Sequence, residues 1–175
     1  AYGGSCFPKD TKAIITTADK FNTNLSVVKS VIKSNENRSR ILLKRVFKML
    51  KNKVRNKTIC FLGVTFKANT DDMRESSSLK MIPYLSKKGA IIRYYDPSGS
   101  KIEFNKIKNV SNCKSIKEAC KNANLIIIHT EWNDFKSLNL KKLSNKRNFI
   151  IYDMRNILSL DQIKKNNINY YCIGK

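Results

Sequence analysis

The sequence predicts an α/β chain in which a long connecting helix leads into a doubly wound parallel sheet. Three observations carry that prediction. The runs at residues 58–64, 125–130 and 149–153 are apolar at successive positions, the pattern of strands buried on both faces. Helical segments alternate with the strands, as a parallel sheet with its connections on both sides requires. Ahead of them, Leu25, Val28, Ile32, Leu42 or Leu43, Val46 and Leu50 recur at spacings of three and four, the period of one amphipathic helix.

Taken in order, residues 1–9 form a Gly-rich loop running into a helix whose first turn holds Pro8 and Asp10. Proline suits the first helical position, and an acid suits the positive end of the helix dipole. The long helix begins after Phe21-Asn22-Thr23-Asn24; at 1.5 Å per residue, about 28 residues span about 42 Å. That is more than a small domain needs internally, and a polar stretch from Ser34 to Arg40 interrupts the apolar stripe. The strand at residues 58–64 follows, then a helix over 76–88 with Gly89 as its cap. A second strand over 90–95 stops at Asp96-Pro97, a short helix covers 115–122, and the Ile-rich strand follows at 125–130. The strand at 149–153, a helix over 159–166 and a last strand over 170–173 complete the pattern. The boundary falls near residue 55, giving a loop-and-helix unit over 1–55 and an α/β domain over 56–175.

Charge is the most prominent compositional feature: 35 Lys and Arg against 13 Asp and Glu, a formal net charge of +22. Yet 27 Lys, 20 Asn and 20 Ile together show a codon-level bias, and the lysines are spread along the whole chain. A nucleic-acid face gathers its basic residues on one surface with aromatics or arginines placed to read bases. The sequence therefore argues against a nucleic-acid partner. No apolar run approaches the roughly 20 residues of a membrane-spanning helix, so no membrane partner is expected. Nothing in residues 1–10 reads as a signal peptide, and a first residue of Ala rather than Met suggests a piece of a longer protein. The five cysteines, at 6, 60, 113, 120 and 172, include no CxxC pair, and with one histidine they offer no metal cluster. A reducing, cytoplasmic setting fits an odd number of unpaired thiols in a chain large enough to fold without staples.

Ligands of a doubly wound sheet bind at the carboxyl ends of its strands. Three such ends carry polar residues here: Phe66-Lys67-Ala68-Asn69-Thr70-Asp71-Asp72-Met73-Arg74, His129-Thr130-Glu131-Trp132 and Asp153-Met154-Arg155-Asn156. Lys67, Arg74 and Arg155 are candidates to converge on an anion such as a diphosphate. Gly63 is followed by Val64-Thr65, so the GxGxxG dinucleotide fingerprint is absent. His129 and Trp132 read as strand-end packing, and Asp71 and Asp72 as turn and cap residues.

Several of these segments resemble, in order, the nucleotide-sugar dehydrogenase family, and within it the UDP-glucose 6-dehydrogenases. Tyr2 to Thr11 (YGGSCFPKDT) is similar to the family's nucleophile loop, and Gly63 to Ser76 (GVTFKANTDDMRES) to its motif G-x-x-F-K-x-x-T-D-D-x-R-x-S. Tyr95-Asp96-Pro97, Thr130-Glu131-Trp132 and Asp153-Met154-Arg155-Asn156 fall where similar family segments fall. Ala68 and Ser77 stand where the family often has proline, changes that loosen a turn without removing a functional group. The resemblance implies a Rossmann-like UDP-binding domain in the later half of an enzyme whose NAD-binding Rossmann domain, with an assisting Lys and Asn, lies upstream.

The reaction the resemblance implies is the four-electron oxidation of UDP-glucose to a carboxylate with NAD as cofactor. A cysteine captures the aldehyde as a thiohemiacetal, and a thioester is then hydrolysed. Cys6 is the implied nucleophile, just ahead of a helix N-terminus with Lys9 nearby, an electropositive setting suited to a reactive cysteine. Asp10 is implied to help activate water. Tyr2, Gly3, Phe66, Lys67 and Arg155 become substrate-binding candidates, with Gly3 and Gly4 leaving room for the sugar to approach. Lys9 and Arg74 become cofactor-binding candidates, and no metal is implied. Read alone, Cys6 is a buried loop cysteine, Asp10 a helix-start residue, Lys67 one strand-end lysine among many, and Arg74 a partner for Asp71 or Asp72. Family association and the exposed stripe at Leu25, Val28, Ile32 and Leu43 imply a homodimer through the long helix. Two other readings stand beside UDP-glucose: another nucleotide sugar (GDP-mannose or a UDP-N-acetylhexosamine), or a non-catalytic nucleotide-sugar-binding module. Phe7-Pro8-Lys9-Asp10 leans toward UDP-glucose.

Overall fold

The computed structural model describes residues 2–174. Two helices, α1 (Phe7–Lys20) and α2 (Ser26–Met49), precede the sheet. The strands are β1 (Thr58–Leu62), β2 (Ile91–Tyr95), β3 (Val110–Asn112), β4 (Leu125–Ile128), β5 (Ile150–Asp153) and β6 (Asn169–Cys172). Between them lie α3 (Ser78–Lys87), α4 (Ile116–Cys120) and α5 (Leu160–Asn166). All strand pairs are parallel and the order is β3-β2-β1-β4-β5-β6. This is the doubly wound arrangement, with the strand order reversing between β1 and β4. The expected α/β class holds, while β3 is a strand that periodicity could not reveal. Its three residues, Val-Ser-Asn, show no apolar run because this edge strand is mostly exposed.

Alternation along the buried strands sends side chains to two cores. On one face Ile59, Phe61, Ile92, Tyr94, Leu125 and Ile127 pack with Met81, Ile82 and Leu85 of α3 and with Leu42 and Val46 of α2. On the other, Cys60, Leu62, Ile126, Ile128 and Ile151 pack with Ala119 and Cys120 of α4 and with Leu140 and Leu158. α2 has 24 residues, about 36 Å at 1.5 Å per residue, and stays helical through its polar stretch. Only its second half joins a core: Leu42 and Val46 are buried, whereas Val27 is 76% and Val31 46% exposed. α1 likewise buries just Pro8 and Ala18. The two helices pack on each other as an arm that continues into the body of the sheet domain through α2.

Gly89 caps α3 as expected, with φ +84° and the backbone bonds of a helix end. Elsewhere asparagine does this work. Among the described residues, eight of the ten non-glycine positions with positive φ are Asn. The asparagine bias is thus absorbed structurally, because Asn tolerates the left-handed region better than other side chains. Among the described residues, no helix is long and apolar enough to cross a membrane.

Candidate functional site

Strands β1, β4 and β5 end side by side, and the segments leaving them are tied together by buried polar groups. Gly63, at φ +75°, lies so close to Thr130 that a Cβ there would sit 2.5 Å from the Thr130 Cβ. Thr130 Oγ1 donates to Thr65 O at 2.8 Å, crossing the point where strand order reverses. Asp96, at the end of β2, is buried and accepts from the main-chain N–H of Val64 (2.7 Å) and from Ser98. Ser76 and Ser78 both donate to Val64 O, at 2.7 and 2.6 Å. The crevice that holds a pyrophosphate in a GxGxxG fold is filled here, and its N–H groups are used internally.

His129 stands in this network as a fixed neutral group. Its Nε2 lies 2.8 Å from Ser77 Oγ and its Nδ1 3.1 Å from Thr130 Oγ1. Since Thr130 donates its proton to Thr65 O, Nδ1 carries the imidazole hydrogen and Nε2 accepts from Ser77. Burial first, and the Arg155 charge second, push its pKa down to about 3. Strand-end packing is the role the sequence assigned it.

Asp153 does for β5 what Asp96 does for β2. Fully buried, it accepts from the N–H groups of Arg155, Ile157 and Leu158 and from the Tyr170 hydroxyl. Burial raises the Tyr170 pKa, and the Asp153 charge adds to the effect. The turn fixed in this way aims Arg155 across the strand ends. Its Nε donates to His129 O at 2.7 Å and its Nη2 to Phe66 O at 3.0 Å, and Glu131 Oε2 lies 3.0 Å from Nε.

Phe66 links this region to the Cys6 loop. Its N–H donates to Asp72 O, and its ring lies directly against Gly3 and Gly4. A Cβ at Gly3 would meet the Phe66 ring at 2.6 Å, and one at Gly4, where φ is +83°, at 2.9 Å. The space left by the two glycines, expected for a sugar, is taken up by this ring. Gly4 N–H donates to Arg74 O at 3.0 Å, and the Tyr2 backbone bonds both ways with the Asn35 amide of α2. The Tyr2 and Phe7 rings meet edge to face at 4.7 Å.

Cys6 follows as the residue preceding α1, and its carbonyl accepts the first helical bond from Asp10 N–H at 2.9 Å. It is the exposed member of the five cysteines; Cys60, Cys113, Cys120 and Cys172 are buried. Cys60 and Cys120 touch in the core at 3.6 Å, and burial holds the Cys60 thiol well above its usual pKa. The loop cysteine that sequence position alone would bury is the accessible one. Lys9 and Asp10 are exposed on the first turn, 3.9 Å apart. Lys67 is exposed on the Phe66 loop.

The structure therefore brings Tyr2, Gly3, Phe66 and the Arg74 backbone together beside Cys6. It does not gather the three cations at one point. The Arg74 guanidinium forks onto Asp72, through Nε at 2.8 Å and Nη2 at 2.9 Å, and this pairing lowers the Asp72 pKa. Arg74 lines a cavity with Asp71, Asp72 and Glu103, whereas Arg155 lines a different one with Arg38, Ser77 and His129. Sequence reading missed Asn35, and it named Asp96 and Asp153 only as members of strand-end segments, without their bonding roles. Each lies in an element already assigned, and nothing local separates a bonding carboxylate or amide from an ordinary one.

Residues 60–160, more than half of the chain, match the UDP binding domain of the UDP-glucose/GDP-mannose dehydrogenase family, and residues 1–37 match its central domain. The UDP-glucose 6-dehydrogenase of Rhizobium meliloti is 36% identical over 175 residues, covering 99% of this chain and 40% of that protein. The UDP-glucose 6-dehydrogenase YwqF of Bacillus subtilis is 37% identical over 176 residues, again with 99% and 40% covered. The chain thus spans about 40% of the length of these relatives. Among solved structures, a UDP-glucose dehydrogenase from Pyrobaculum islandicum matches with TM-score 0.78 at 26% identity, over 97% of this chain and 37% of that one. An NDP-N-acetyl-D-galactosaminuronic acid dehydrogenase from Methanosarcina mazei shares the fold, with TM-score 0.85 at 23% identity, over 100% of this chain and 38% of that one. With a family-specific match over its sheet domain and a second over the Cys6 loop and arm, this chain belongs to the UDP-glucose/GDP-mannose dehydrogenase family.

Proposed function

We propose that the chain is the C-terminal portion of an NAD-dependent UDP-glucose 6-dehydrogenase that oxidises UDP-glucose to UDP-glucuronate. The observation that carries the reading is Cys6: the exposed thiol among five, at the start of α1, with its loop laid on the UDP-binding fold. The relatives named above supply the substrate class. Residues 1–55 then serve as nucleophile loop and arm, and residues 56–175 as the nucleotide-sugar domain, with Phe66, Lys67, Arg155 and Tyr2 on the substrate side and Gly3 seating the Phe66 ring.

NAD does not fit the loop after β1, whose N–H groups are already engaged and whose crevice Thr130 fills. The exposed cations Lys9 and Arg74 suit the edge of an anionic dinucleotide held by a separate Rossmann domain. When bound, NAD⁺ supplies hydride acceptance. The remaining chemistry belongs to this chain. The Cys6 sulfur adds to the aldehyde carbon, forming a C–S bond while the oxygen takes a proton, and oxidation of that adduct leaves a thioester. Water then attacks the carbonyl, the C–S bond breaks, and the thiol and carboxylate are released. Asp10, exposed one turn from Cys6, accepts the proton of that water. In the complete enzyme Cys6→Ser abolishes net carboxylate formation and traps an ester, since an alkoxide leaves less readily than a thiolate; wild-type turnover in that variant would refute the assignment. The 175-residue chain by itself yields no NADH from UDP-glucose and NAD⁺.

The setting is the cytoplasm, in keeping with five free thiols. The arm pairs with a second copy of the chain. The expected stripe at Leu25, Val28, Ile32 and Leu43 is half-buried, with Leu43 packed on the core, while Ile14, Phe21, Val27 and Val31 of this region are exposed, apolar side chains of the kind that association covers. Light scattering at micromolar concentration reads a dimer, and a clean monomer overturns the pairing.

A further inference from the structure

We propose that Asn35 is a positioning residue for the nucleophile loop, holding the backbone ahead of Cys6 in the geometry the reaction uses. The inference rests on the reading of Cys6 as nucleophile and adds a residue that neither motif contains. Asn35 lies on α2, thirty-three positions along the chain from Tyr2. Its Oδ1 accepts from Tyr2 N–H at 2.9 Å and its Nδ2 donates to Tyr2 O at 2.9 Å. One side-chain amide thus satisfies both main-chain groups of one residue, as a neighbouring strand would. Asparagine suits this task because its short amide carries a donor and an acceptor side by side. Aspartate offers only the acceptor and sets its charge against the Tyr2 carbonyl; alanine offers neither.

The other described ties of the loop act further along. Gly4 N–H donates to Arg74 O at 3.0 Å, and the Phe66 ring supports Gly3 and Gly4 from below. These fix the loop to the sheet domain, and Asn35 fixes it to the arm. Cys6 therefore sits on a segment anchored on two bodies, and its placement follows their relation. A thiol that must add to one carbon of a bound sugar is sensitive to such placement, since a misplacement of about 1 Å costs on the order of 100-fold in rate.

Two measurements test this, one of them independent of turnover. In the chain itself, hydrogen exchange at the Gly4 amide is compared between wild type and Asn35→Ala. The position is mid-helix and partly buried, and Ala is the better helix former, so the variant keeps its fold and melting temperature. Gly4 exchange is expected to rise at least about 10-fold while amides of β1 and β4 keep their protection, the mark of local opening. Unchanged Gly4 exchange overturns the proposal. In the complete enzyme, Asn35→Ala is expected to lower kcat about 10- to 100-fold with KM for the nucleotide sugar little changed, and Asn35→Asp to fall between it and wild type. A freed loop with unchanged kcat overturns the positioning role. Wild-type turnover by Cys6→Ser instead removes the nucleophile reading on which the proposal rests, and the two failures are told apart.

Discussion

At the carboxyl ends of β1, β4 and β5 the polar side chains point inward and bond the backbone, whereas the Cys6 loop lies on the surface with few ties. Asp96, Asp153, Thr130 and His129 are buried and each has partners in neighbouring segments. Ser5, Cys6, Lys9 and Asp10 are exposed, and their segment is held through Asn35, Arg74 O and the Phe66 ring. The difference teaches where the chain can change shape. A buried network of paired groups breaks cooperatively and at high cost, while a surface loop on few anchors opens alone. The frame that positions the site is rigid, and the proposed reacting group stands on its most adjustable part.

Acid separates the two regions most strongly. His129 is neutral in the fold, with a pKa of about 3 against the ordinary 6.5. The unfolded chain therefore takes up the proton first, so this contribution to stability is complete above pH 6.5 and is lost progressively as pH falls toward 3. At 1.36 kcal/mol per unit the loss reaches about 4 kcal/mol at pH 3.5, and about 2 kcal/mol by pH 5. Urea denaturation of wild type and His129→Gln across that range should show the wild type losing stability faster by these amounts. Parallel curves would mean that His129 is not the neutral strut its bonds indicate.

Substituting one residue type in both regions gives the next largest contrast. Gly63 and Gly4 both have positive φ, and an added methyl meets a neighbour at each. At Gly63 the neighbour is Thr130, itself tied to Thr65 O and His129, and nothing there can yield. Gly63→Ala should cost about 3 kcal/mol, combining left-handed strain with overpacking. At Gly4 the loop can lift off the Phe66 ring, so Gly4→Ala should cost about 1 kcal/mol of global stability. Chemical denaturation reads both values. Equal costs would show that the loop is as firmly built as the strand ends, and would remove the contrast.

Legibility in the sequence follows the same division. Strands and helices were readable because burial on two faces leaves long apolar runs and α2 leaves a stripe at helical spacing. β3 was not readable, since an exposed edge strand of three residues has no pattern to show. Around the site, Cys6 and Phe66 were visible through two motifs and Arg155 through the strand-end segment Asp153-Met154-Arg155-Asn156, and the structure draws Phe66 and Arg155 into one bonded set. What motifs could not convey was partnership. Asp153 looks like any strand-end acid until the fold brings three N–H groups and a tyrosine to it. Asn35 looks like one asparagine among twenty until α2 carries it back to Tyr2. Nor could spacing show that the Arg74 guanidinium rests on Asp72 and that of Arg155 on the His129 carbonyl, so that the three cations do not meet at one point.

Arg74 offers the smallest effect and the finest distinction, because its backbone and its side chain serve different regions. The carbonyl accepts from Gly4 N–H and so holds the Cys6 loop, while the guanidinium forks onto Asp72 at the surface. Replacing the side chain leaves the carbonyl in place. Arg74→Ala should therefore leave Gly4 exchange at the wild-type rate and shift the melting temperature by no more than about 1 °C, since exposed ion pairs contribute little to stability. Asp72 loses the charge that lowered its pKa, so its carboxyl should titrate higher in the variant, which carbon-detected NMR can follow. In the complete enzyme the same change should raise KM for NAD⁺ and leave KM for the nucleotide sugar alone, because an exposed cation beside the Cys6 loop is available to an anionic dinucleotide. A variant with unaltered KM for NAD⁺ would confine Arg74 to its pairing with Asp72. Faster Gly4 exchange would show instead that the side chain, and not the carbonyl alone, secures the loop.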